Sequence, residues 1–174
     1  MQSLCNTKQY RLQQVLPLTI YLLLAGLTFA QSPTLSQKDA PMTHQASGSF
    51  DVKVTPQDDK SGDPLLGRMS LDKQYYGDLE ATGTGQMLTA GTAVKGSGAY
   101  VAIEKVAGSL KGRTGTFVLQ HTGSMTGGNF HLDVTVVPDS GTGQLAGITG
   151  KMNITIAHDG KHSYDFEYTL PNAQ

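Results

Sequence analysis

Cysteine, tryptophan and surplus charge are what this chain has least of. It has one cysteine, Cys5, no tryptophan, and a formal net charge of -1 over 174 residues. A lone cysteine excludes a disulfide framework and a cysteine-rich zinc site. The near-zero charge lacks the basic surplus of a nucleic-acid binder, so no nucleic-acid partner is expected. Beyond residue 30, no stretch keeps an apolar i, i+3, i+4 pattern over three turns, so no long amphipathic helix is expected. Glycine is abundant instead, at 21 residues, well above the usual share of about 7%. It shows no Gly-X-Y period, which excludes a collagen-like chain. Charged residues make up only 16%, and β-branched residues are frequent, which argues for a folded chain over a disordered one. The length suits a single domain.

The first thirty residues read as a secretory signal peptide. Lys8 and Arg11 precede an apolar run from Val15 to Ala30 that ends in Thr28-Phe29-Ala30. A basic start, a short apolar middle and small residues at the cut are the features of such a signal. The competing reading is a membrane anchor. The run is shorter than the roughly 20 residues needed to cross a bilayer, and Pro17 interrupts it. Cys5 precedes the run and is not placed for acylation of a lipoprotein. Cleavage after Ala30 would remove that cysteine and leave no stable membrane span. The expected location is the periplasm or the exterior. Residues 31–45, with Pro33 and Pro41 and no periodicity, read as a flexible leader. A domain is expected over 46–171.

From Ala46 the pattern has period two, the mark of strands with one buried face. Ser49 to Val54 alternates strictly. Further strands are expected over 68–76, 79–90, 98–106, 113–122, 129–137, 151–157 and 163–170. The glycine-rich segments between them read as turns, with the Asp159-Gly160 pair as a type I′ hairpin. In the last strand Tyr164, Phe166, Tyr168 and Leu170 share a face. About eight short strands describe an antiparallel sandwich or barrel, and closure would remove the edges that invite aggregation.

Several blocks carry a family likeness. Gly48-Ser49-Phe50-Asp51-Val52 opens the domain, and Gly77-Asp78-Leu79 follows the second strand. Tyr100 to Gly108 leads into Gly112-Arg113-Thr114-Gly115-Thr116-Phe117-Val118-Leu119-Gln120-His121, and Val137-Pro138-Asp139-Ser140-Gly141-Thr142-Gly143 follows. Over roughly residues 46–170 the chain resembles the bacterial family of domain of unknown function 3224. The resemblance implies an all-β fold, a single antiparallel eight-stranded β-barrel similar to that of allene oxide cyclase. It implies no agreed activity. The export signal departs from the usual pattern of that family.

Candidate site residues fall into two groups. Tyr100, Ala102 and Glu104 share a face of the fourth strand, and an inward Glu104 must be paired or protonated. Arg113, Phe117 and His121 share a face of the fifth. With the turn read at Gly108 to Gly112, Glu104 falls level with Thr116 and Phe117. Tyr100, Glu104, Arg113, Phe117 and His121 are therefore candidates to line a ligand site, against the plainer reading of an internal ion pair and a satisfied histidine. Asp78 and Asp139 form the second group. With Glu104 they are the catalytic candidates, since two carboxylates sharing a proton can hydrolyse; the plainer reading makes both aspartates turn formers. The Pro138 to Gly143 segment lacks the Gly-Lys-Ser/Thr ending of a phosphate loop and the Gly-x-Ser-x-Gly elbow. His158 and His162 lack a third ligand by spacing, so neither a metal nor a cofactor is expected. Asn153-Ile154-Thr155 matches a glycosylation acceptor but lies mid-strand. The expected function is binding of a small apolar or amphipathic molecule in the barrel mouth. The alternative is an enzyme of the lumen, either isomerase- or cyclase-like or an aspartic-type hydrolase.

Overall fold

The computed structural model describes residues 42–58 and 60–171. The expected signal peptide and most of the expected leader lie outside these residues. Eight strands follow one another: β1 (Thr43–Gln57), β2 (Leu66–Gly77), β3 (Leu79–Gly91), β4 (Gly98–Leu110), β5 (Arg113–Thr126), β6 (Asn129–Val136), β7 (Thr149–Ile156) and β8 (His162–Thr169). Each pairs antiparallel with its sequence neighbour, and β1 pairs with β8, closing the barrel. The one helical element among the described residues is a 3₁₀ turn, Gly143–Leu145. No described helix is long and apolar enough to cross a membrane.

Alternation sets the inside. Leu79 and Ala81 of β3, Ala102 and Val106 of β4, Phe117 and Leu119 of β5, Val134 of β6, Met152 of β7, and Tyr164, Phe166 and Tyr168 of β8 are buried. Their outward neighbours Val101 and Ile103 are about half exposed. Phe117 stacks on Phe166 at 5.7 Å, and Phe166 on Tyr168 at 5.2 Å. An up-and-down order puts the β2–β3, β4–β5 and β6–β7 connections at one end and the other connections at the opposite end. The first end is filled: Leu110, Leu145 and Ile148 are buried there, the last two carried by the β6–β7 connection. The second end is open and forms a mouth.

Three expectations about extent and turns are corrected. β1 begins at Thr43, inside the expected leader, and the His44 ring lies 5.3 Å from Tyr168. The β4–β5 turn is not Gly108 to Gly112. Lys111 and Gly112 both adopt positive φ, 46° and 81°, which makes a two-residue turn of the kind that matches strand twist. Both strands therefore run on to Leu110 and Arg113, which pair. The β7–β8 turn differs too. Only Gly160 there has positive φ, and its N–H donates to the Ala157 carbonyl at 2.9 Å. That is a three-residue loop, not type I′, and His162 opens β8.

The wall is uneven. β6 and β7 share a single bridge pair, Thr135↔Lys151. Above it the ladder is open toward the mouth, where an exposed ion pair, Lys151 to Asp133 at 3.0 Å, spans the two strands.

Candidate functional site

Midway along the barrel, three strands contribute to one buried polar cluster. Glu104 of β4 is fully buried. Its Oε2 accepts from Lys73 Nζ of β2 at 2.8 Å and contacts His121 Nε2 of β5 at 3.0 Å. Its Oε1 accepts from the Tyr75 hydroxyl at 2.8 Å. Lys73 Nζ also donates to Tyr75 Oη at 3.2 Å and lies 4.6 Å from the centre of the Phe50 ring on β1. Burial pushes the Glu104 carboxyl up, but the His121 hydrogen bond and the Lys73 charge outweigh it, holding the group below the ordinary carboxylate range. Burial raises the Tyr75 hydroxyl well above its usual value, and the Glu104 charge adds to that. A neutral phenol therefore donates to an ionised carboxylate, which is the strong form of this bond.

β3 makes room for the cluster. A Cβ at Gly83 would overlap Glu104 Oε1, so glycine is needed there for the carboxylate to reach its partners. A Cβ at Gly123 of β5 would overlap the Tyr100 ring, so glycine lets that ring lie flat on the strand. Burial raises the Tyr100 hydroxyl, helped by the Glu104 charge.

Above the cluster the mouth encloses about 130 Å³. Its wall is apolar, with Phe50, Val52, Leu71, Met87, Leu132 and Ile154 prominent, and its polar lining residues are Lys73, Tyr100, His121 and His162. A dry apolar cavity of about 150 Å³ holds a benzene-sized molecule, so this space fits one ring or a short chain. One ring nitrogen of His121 bonds Glu104. Among the described residues no fully enclosed side-chain nitrogen or oxygen lacks a partner. The second ring nitrogen makes no bond to a described residue, so it reaches open space.

The structure brings three of the five ligand-site candidates together. Glu104 and His121 touch, and Tyr100 lines the mouth beside them. Glu104 pairs across the ladder with Leu119, not with Thr116 or Phe117, because the turn is Lys111-Gly112 and not Gly108 to Gly112. His121 thereby comes within reach. Phe117 is on the inner wall but deeper, stacked on Phe166. Arg113 is exposed beside the β4–β5 turn, at the filled end. Of the catalytic candidates, Asp78 and Asp139 also stand at that end, in separate connections. Asp78 Oδ2 accepts the Ser47 N–H at 3.0 Å and lies 3.4 Å from Lys111 Nζ; that backbone bond chiefly, with Lys111, lowers its pKa. Asp139 is exposed, with φ 58° in a turn. No hydrogen bond joins the two. Among the described residues no group of histidine, cysteine and carboxylate side chains is arranged to hold a metal.

Sequence reasoning missed Lys73, Tyr75 and Gly83. A signal existed, since Leu71, Lys73 and Tyr75 share parity on β2 and two of them are natural core residues. A lysine between them is on the inner face and must find an anion.

The comparisons agree with this architecture. Residues 46–168 match the family model described as Protein of unknown function (DUF3224). A crystal structure from Shewanella oneidensis MR-1, a DUF3224 protein of unknown function, is 50% identical, with a TM-score of 0.71 over 76% of this chain and 100% of that one. Among curated proteins, none matches. The chain belongs to the DUF3224 family of proteins of unknown function.

Proposed function

We propose that this barrel is an exported binding protein that holds a small, partly apolar molecule in its mouth. One observation carries the reading: a cavity of about 130 Å³ with an apolar wall ends on a polar floor of Lys73 and His121. A concave apolar site with a few convergent polar groups is the usual form of a small-molecule site. NMR titration of the purified protein with a library of small aromatic and short-chain compounds tests it. Binders are expected to shift resonances of Phe50, Leu132 and Ile154. A library in which no compound perturbs the mouth would defeat the reading. Export belongs to the same proposal and rests on residues 1–30; N-terminal sequencing of the protein from its own envelope should find Gln31 first, and an intact Met1 would count against it.

A second reading, proton-transfer catalysis in the lumen, is favoured by the contact between Glu104 and His121. A carboxylate that fixes one ring nitrogen leaves the other free to act as a base. Proton–deuterium exchange next to the carbonyl of bound ketones, lost in His121→Gln, would support it. The hydrolase version draws no support from Asp78 and Asp139, which serve separate turns.

A further inference from the structure

We infer that the mouth selects a small organic acid, a single ring or short chain bearing one anionic group, with that group received by Lys73 and Tyr100. The inference rests on the binding reading above and names its ligand class. The polar residues that line the cavity are Lys73, Tyr100, His121 and His162, all able to donate, and no carboxylate is among them. The acid beneath the cavity, Glu104, is fully buried, and its oxygens already take bonds from Lys73, Tyr75 and His121. The buried ion pair is thus a dipole whose ammonium end faces the cavity. Two of the three Lys73 donors are used, by Glu104 and Tyr75, so one remains. The Tyr100 hydroxyl makes no hydrogen bond to a described residue, and Tyr100 lines the same space. A carboxylate can accept from both. A cation would meet the ammonium, and a neutral head would keep a hydrogen bond to it but lose the attraction between opposite charges.

The test uses three probes of one shape on the purified full chain: phenylacetate, phenylacetamide and phenethylamine. Phenylacetate is expected to bind about 10-fold more tightly than phenylacetamide, which keeps a hydrogen bond to the ammonium but not the ion pair, with phenethylamine weakest and the shifted resonances at the mouth. Lys73→Met should abolish the preference for the acid. Should that variant not fold, the order of the three probes on the unaltered protein still decides, and Tyr100→Phe should weaken phenylacetate several-fold while leaving the fold intact. Equal binding of acid and amide would overturn the acid inference and leave mouth binding standing. Failure of all three at millimolar concentration, where other compounds still shift the mouth, would overturn the inference alone. Failure of every compound would take the binding reading with it.

Discussion

Glu104→Gln keeps the shape of the cluster and removes its negative charge, leaving the Lys73 ammonium buried without a counter-ion. Removing one partner of a buried pair costs about 3–5 kcal/mol. Urea unfolding should show that loss in Glu104→Gln, and the double variant Lys73→Met/Glu104→Gln should recover most of it, because no unpaired charge remains. The same carboxylate makes stability fall in acid. Its pKa is lower folded than unfolded, so the unfolded chain takes up the proton first. The contribution of Glu104 is complete above the unfolded value of about 4.3 and disappears as pH falls through the folded value. Unfolding midpoints measured across that range should drop in the unaltered protein, and the Glu104 part of the drop should be absent in Glu104→Gln. Gly83→Ala tests the space beside the carboxylate. Its Cβ would overlap Oε1, and overpacking costs about 1–3 kcal/mol. A Gly83→Ala variant as stable as the parent in urea would mean that the cluster can shift. Residue chemistry was partly legible in the sequence. Parity alone assigned Glu104 and His121 each to one face of its strand, but parity gives no height along a strand, so their contact was not legible.

Turns decide that height. Lys111 and Gly112 carry the backbone through positive φ, and a Cβ at Gly112 would meet nothing within 4 Å. Gly112→Ala therefore isolates the backbone cost, about 1–2 kcal/mol, and Gly112→Asn should cost less, since asparagine tolerates this conformation. Thermal denaturation of the pair measures both. The β6–β7 seam predicts a second behaviour of elements. With one bridge pair between them, amides of β6 and β7 that face the seam should exchange hydrogen faster than those of β4, which is laddered along both sides. Uniform protection around the barrel would contradict this. The existence of all eight strands was legible, because period two and glycine breaks are local signals. Strand ends were less so. The turn read at Gly108 to Gly112 was too wide, and the choice of Lys111-Gly112 depends on pairing across the ladder, which no single strand records.

Closure is a property of the whole chain. β1 pairs with β8, so the first and last strands must meet before the barrel is complete. Such non-local pairing folds slowly, in milliseconds to seconds for domains of this kind, and stopped-flow refolding should fall in that range. Tyr164 of β8 reaches past β1 to the β2–β3 connection: its hydroxyl accepts the Leu79 N–H at 2.9 Å and donates to the Tyr76 carbonyl at 3.2 Å. By itself the sequence determined an all-β chain, the inward faces of its strands and the turns that glycine permits, because alternation and backbone freedom are written residue by residue. It also named a carboxylate and a histidine on neighbouring strands as candidates for the inner wall. Only the tertiary structure decided that Lys73 of β2 and Tyr75 beside it meet Glu104 of β4 and His121 of β5, that one end is plugged by Leu145 and Ile148, and that Arg113, Asp78 and Asp139 lie at that plugged end. The physical reason is register. A shift of one turn slides a whole strand past its neighbour, and register around a closed barrel is fixed by every pairing at once.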